Sequence, residues 1–138
     1  MERFISENII TLSTNDYTIT YADEVWEDGQ LAVNIFFGQG FASEVTVTFS
    51  VDSNSIFENG SSSQQLTYSI DELDSVDYTK SVVLIPFDDL QIDYGTSETI
   101  NVAFTSDDQR LNNLTEDLSV LIRDNDFQRS VQEDMGKL

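Results

Sequence analysis

The sequence contains no cysteine and no histidine. Without these residues there are no disulfides, no thiolate or imidazole metal ligands, no cysteine nucleophile and no histidine general base. Paired carboxylates are the remaining candidates for acid–base chemistry. Adjacent residues on a strand point to opposite faces, so pairs such as Asp88-Asp89 make poor catalytic dyads. We therefore predict that the protein is not an enzyme.

Basic residues are scarce. Six lysines and arginines stand against 26 aspartates and glutamates, which gives a formal net charge of −20. This charge repels phosphate backbones and anionic membrane surfaces, so we expect neither direct nucleic-acid binding nor membrane binding. A surplus of carboxylates suits a solvated surface, divalent cations, a basic protein partner or mimicry of a nucleic acid.

Long apolar runs are also missing. No stretch approaches the length of a membrane span. The first 17 residues carry Glu2 and Glu7 and no continuous apolar segment, which is unlike a secretory signal. We expect neither a signal peptide nor a transmembrane segment. The length of 138 residues fits one domain with its own hydrophobic core.

Apolar residues alternate with threonine, serine and asparagine along much of the chain, which is the pattern of half-buried β-strands. Residues 30–51 show it most clearly, and we interpret them as a hairpin whose turn is Gly38-Gln39-Gly40. Residues 9–12 are predicted to form a short strand and residues 52–65 a loop. The remaining predicted strands are 17–21, 66–70, 81–85, 100–104 and 118–122.

These elements predict an all-β fold: an antiparallel, immunoglobulin-like β-sandwich of seven or eight strands, with a jelly roll or barrel as the alternative. We predict an N-terminal arm over 1–8, the sandwich over 9–126 and a short C-terminal tail over 127–138. Apolar residues near both ends fall outside the predicted core and are expected to contact neighbouring molecules. They are Phe4, Ile5, Ile9 and Ile10 at one end, and Phe127, Val131, Met135 and Leu138 at the other.

Oxygen ligands cluster around the predicted last hairpin. Asp107 and Asp108 open its loop and Glu116 closes it. Calcium takes six to eight oxygen ligands and favours flexible carboxylates, so these three residues are our candidate calcium ligands, and no other cofactor is predicted. Asp124 and Asp126 would join them only if the intervening strand is short or bent. The alternative is that all of these carboxylates simply solvate loops.

The same region resembles the second half of a Calx-β module. That family has a strand, an acidic pair, a short loop with a glutamate, and a further strand. Residues 96–122 follow this order, with Asp107-Asp108 as the acidic pair and Glu116 as the glutamate. Further similarities are Asp77-Tyr78 before the strand at 81–85, and Glu24 or Glu27 ahead of Gly29. The resemblance implies an immunoglobulin-like sandwich and a calcium site.

We expect a non-enzymatic structural or interaction protein. Its most concrete form is a small virion component, such as a phage capsid decoration or tail-associated protein, assembled in the host cytoplasm. Its expected partners are other copies of itself or a capsid or tail protein. A compact β-sandwich with no export signal, whose ends reach neighbours, suits that role by analogy. The alternatives are a calcium-dependent adhesion or binding module of Calx-β type and an acidic inhibitor that mimics nucleic acid.

Overall fold

A computed structural model describes residues 8–27, 29–37, 43–52, 54–73, 79–87 and 96–123. These residues form ten strands and one short helix, α1 (Ile70–Leu73). The strands are β1 (Ile9–Ser13), β2 (Tyr17–Ala22), β3 (Glu24–Trp26), β4 (Leu31–Phe37), β5 (Val45–Ser50), β6 (Ser55–Phe57), β7 (Ser63–Tyr68), β8 (Thr79–Pro86), β9 (Thr96–Ser106) and β10 (Thr115–Arg123).

The strands form two five-stranded sheets in a sandwich-like all-β fold. The first sheet has the order β1-β2-β4-β8-β6, and the second has the order β3-β10-β9-β5-β7. The all-β class is thus confirmed, with ten described strands in place of seven or eight. The prediction of a wholly antiparallel sandwich is wrong at one edge, because β3 pairs with β10 in parallel. The two unpredicted strands, β3 and β6, have only three residues each, which is too short to show a period of two.

The predicted hairpin over 30–51 is wrong, because its two strands lie in different sheets. β4 pairs with β2 and β8, whereas β5 pairs with β7 and β9. Each strand buries its inward apolar residues against the core from its own side. The predicted turn Gly38-Gln39-Gly40 lies outside the described residues.

The core lies between the two sheets. Val47, Phe49, Val102 and Val120, whose alternation predicts burial, are all at most 2% exposed. Inward aromatic rings of the two sheets meet where β4 and β7 end: Phe37 of the first sheet lies edge-on to Tyr68 of the second, with ring centroids 4.9 Å apart. The outward residues of the same strands are mostly threonine, serine and asparagine.

The predicted strand over 66–70 extends too far, since β7 ends at Tyr68 and Ile70 begins α1. A capping box between Ser69 and Glu72 explains this boundary. The backbone N–H of Glu72 donates to Ser69 Oγ (3.2 Å), and the backbone N–H of Ser69 donates to Glu72 Oε1 (2.8 Å). Ile70 is consequently 46% exposed and lies outside the core.

The described strands run from Ile9 to Arg123, within the predicted sandwich boundaries. The predicted arm, apart from Asn8, and the predicted tail lie outside the described residues, so the domain division stays a prediction. None of the helical structure described here is long and apolar enough to cross a membrane.

Candidate functional site

The turn between β9 and β10 is closed by its own side chains. The Asp108 carboxylate accepts hydrogen bonds from the Arg110 side chain at Oδ2 (2.8 Å) and Oδ1 (3.1 Å), and from the Arg110 backbone at Oδ1 (3.0 Å). The side-chain bonds to Asp108 raise the pKa of the Arg110 guanidinium. Leu111 is fully buried and anchors the turn on the core. Asp108 is therefore occupied locally by an ion pair.

Glu116 lies near the start of β10, on the inward side of the strand. Its Oε1 accepts a hydrogen bond of 2.6 Å from the Tyr17 hydroxyl. Burial and this carboxylate together raise the Tyr17 pKa well above its ordinary value. Because β2 and β10 belong to different sheets, the bond ties the two layers together along one side of the sandwich.

The three candidate calcium ligands therefore have different environments. Asp107 is exposed, Asp108 is paired with Arg110, and Glu116 binds Tyr17. Across the described ranges, no group of three or more acidic residues is placed to hold a metal ion. Asp124 and Asp126 lie outside those ranges. Calcium binding stays a prediction.

A buried polar pair links the sheets elsewhere. Glu98 of β9 is 1% exposed, and its Oε2 accepts a 2.7 Å hydrogen bond from Ser55 Oγ of β6. We did not predict this pair. Ile100, Val102 and Phe104 follow a period of two, and the same period extended to residue 98 places Glu98 on the inward face. A buried carboxylate needs such a donor, so the pair helps to fix β6 against β9.

Basic side chains in the described part of the chain are all paired with acids. Lys80 contacts Glu72 (3.1 Å), Arg110 contacts Asp108 (2.8 Å) and Arg123 contacts Glu24 (2.7 Å). Exposed pairs of this kind contribute little stability. Because these three cations are engaged in ion pairs, they do not neutralise the other acidic residues of the described surface.

Those acidic residues are not spread evenly. On the first sheet, the outward positions of β1, β2, β4, β6 and β8 hold no aspartate, glutamate, lysine or arginine. We call these outward positions the uncharged face. Among the described residues, acids lie in turns at its rim, such as Asp16 between β1 and β2 and Glu58, which follows β6 and donates its backbone N–H to the Val83 carbonyl (2.9 Å). The face is thus an uncharged surface on a strongly acidic protein.

One end of the uncharged face is an apolar band. Strand register pairs Ile9 with Ala22, Ala32 with Val83, and Ile85 with Ile56. Tyr21 pairs with Val33, which brings Ala22 next to Ala32. Val83 and Ile85 are successive outward residues of β8, so the three pairs together reach across all five strands. Ile9 is 62% exposed, and Phe87, just beyond β8, is 50% exposed. Phe36 lies half-buried further along the same face.

The outer face of the second sheet differs in chemistry. It carries threonines on several strands, among them Thr46, Thr48 and Thr99. It also carries charge, since Asp117 accepts a hydrogen bond of 2.9 Å from Asn101, and the Glu24–Arg123 pair lies at its β3 edge. Ala103 occupies an outward position on β9, which is a central strand of this sheet, as β4 is of the first.

Comparison with known proteins finds no family model that matches this chain and no curated protein that matches its sequence. The Calx-β resemblance thus rests on the short motifs alone. The part of its implication that the structure bears out is the coarse one, a sandwich-like fold of two β-sheets.

Proposed function

We propose that this protein is a non-enzymatic structural component of a larger assembly, in its most concrete form a small virion protein that decorates a capsid or associates with a tail. The observation that carries the proposal is the uncharged face. A chain with a net charge of −20 keeps five neighbouring strands free of charge on their solvent side. Depletion of charged residues distinguishes the centre of a protein–protein interface from ordinary surface.

The exposed apolar residues support the same role. A side chain such as Ile9 gains nothing from contact with water, whereas burial against a partner contributes about 25 cal/mol per Å² before the cost of ordering. β1 is also an edge strand, and it holds neither a charged residue nor a proline to discourage pairing with another chain. Both features favour contact with another protein.

We also propose an immunoglobulin-like topology for the sandwich. If β1, β3 and β7 are set aside, the sheets read β2-β4-β8-β6 and β5-β9-β10. Lettered A to G in chain order, the seven remaining strands give the sheets ABED and CFG, which is the arrangement of a constant-type immunoglobulin domain. β1, β3 and β7 would then be additions at the sheet edges.

A calcium-dependent module of Calx-β type is the second candidate, since the same strand order and the acidic turn with Asp107 and Asp108 favour it. The third possibility, a nucleic-acid mimic, requires carboxylates in a row along one face. On the outer faces of the described strands the acidic residues are Glu24 and Asp117, and Glu24 is paired with Arg123. We therefore do not favour the mimic.

The assembly proposal is tested by sedimentation of an extract of the native source through a density gradient, after nuclease treatment, with an antibody against this chain. We expect the chain in fast-sedimenting particle fractions. Recovery only in the light fractions would overturn the proposal.

Deletion of 1–8 or of 127–138 should weaken incorporation while the circular dichroism spectrum stays that of a folded β-protein. Equal incorporation of both deletion variants would remove the predicted role of the ends.

A further inference from the structure

We propose that the uncharged face is a self-association surface, on which a second copy of this chain packs face to face about a twofold axis. The inference rests on the proposed assembly role and deepens it by naming one partner and one surface. An isologous contact of this kind is the commonest arrangement of homo-oligomers.

The charge pattern favours a second copy over a basic partner. A basic partner would need carboxylates to pair with, and the outward positions of the five strands offer none. The acids lie at the rim, as Asp16 and Glu58 do. The surface that matches an uncharged face is another uncharged face, and each copy of the chain carries one.

The register supports the same geometry. The apolar band runs across all five strands at one end of the face, from Ile9 of β1 to Ile56 of β6. The other end holds polar pairs that bond within the face, such as Ser81 with Asn34 and Ser13 with Thr18. Two bands that meet would bury the aliphatic side chains, and the polar ends would keep their own hydrogen bonds.

The area predicts a weak contact. Five strands about 4.8 Å apart and four rows of outward residues about 6.8 Å apart give a flat area on the order of 500 Å². Two faces together bury about 1,000 Å², which is the lower limit for a specific interface. We therefore expect an equilibrium between monomer and dimer in the micromolar range rather than a permanent dimer.

Salt gives a distinctive signature. Two copies bring their acidic rims together, so repulsion between residues such as Glu58 opposes association at low ionic strength. Raising the salt from about 0.1 M to about 1 M shortens the Debye length from about 10 Å to about 3 Å, which should strengthen self-association. A contact between acidic and basic surfaces would show the opposite dependence.

The experiment is sedimentation equilibrium of the full chain at several concentrations and at both salt levels. Ala32→Glu places a carboxylate in the middle of the apolar band on the central strand β4. The matched control, Ala103→Glu, places the same group on the outer face of the second sheet, on its central strand β9. Ser81→Glu is a second variant on the uncharged face. Thermal melts confirm that each variant is folded.

We expect a salt-strengthened dimer that Ala32→Glu and Ser81→Glu weaken on the order of tenfold or more, because a twofold axis buries each new carboxylate twice. Ala103→Glu should change the dissociation constant by less than about twofold. The proposal is overturned if the chain is monomeric under all conditions, if salt weakens the association, or if Ala103→Glu weakens it as much as Ala32→Glu. A monomer that still sediments with particles would overturn self-association alone and leave the assembly role intact.

Discussion

Replacement of Phe49 by alanine tests the two-layer architecture, because this side chain contacts both layers. Phe49 is fully buried in β5, and its ring lies edge-on to Phe57 of β6, with centroids 6.5 Å apart. The two strands belong to different sheets, so truncation opens a cavity between the sheets. We expect a loss of about 3 to 5 kcal/mol in the free energy of unfolding. For a domain of this size, the melting temperature should fall by on the order of 10 to 20 °C.

Urea denaturation followed by the fluorescence of Trp26, the only tryptophan, measures this loss. Phe36→Ala is the matched control, since Phe36 is the outward, half-buried phenylalanine of β4. It should cost about 1 kcal/mol or less at low protein concentration. Equal losses for the two variants would show that the inward and outward faces have been assigned incorrectly, and would refute the sandwich as described.

Two further predictions follow from single contacts, and a third concerns the candidate calcium ligands. Tyr17→Phe removes the bond to Glu116 and should cost about 1.5 to 3 kcal/mol. Because folding raises the Tyr17 pKa above its unfolded value of about 10, this stability is complete below about pH 10 and is lost as the pH rises; melts at increasing alkalinity should therefore converge for wild type and variant. Ser55→Ala deprives buried Glu98 of a donor and should cost about 1 to 3 kcal/mol in urea titrations, with Ser50→Ala as the nearly neutral control. Millimolar calcium should raise the melting temperature relative to excess chelator if Asp107, Asp108 and Glu116 bind it, and identical curves would remove that prediction.

The alternation of apolar and polar residues was sufficient to predict the longer strands and their inward sides. Val47 and Phe49 are buried as the period of two requires. The same pattern does not predict strand pairing, because it indicates which face of a strand is buried and not which strand lies beside it. This is why residues 31–37 and 45–50 looked like a hairpin although they lie in opposite sheets.

Contacts between residues that are far apart in the chain could not be predicted from the sequence. Tyr17 and Glu116 are 99 positions apart, and neither has a local signal that names the other. Only part of the uncharged face could be predicted. The alternation indicates the outward positions of β2 and β4, but strand order determines that these positions lie beside those of β1, β6 and β8. By contrast, the pairing of β9 with β10 across the acidic turn was predictable, since a short turn between two strands favours an antiparallel hairpin.

The central claim is that this protein works through contacts made by the uncharged face, and hydroxyl-radical footprinting of free and particle-bound chain tests it most directly. Side-chain oxidation reports solvent access residue by residue. We expect Ile9, Phe36 and Ile85 to be oxidised in the free, dilute protein and protected in the particle fraction. Leu114, exposed in the turn between β9 and β10, should be oxidised equally in both. Equal oxidation of Ile9, Phe36 and Ile85 in the two states would contradict the claim.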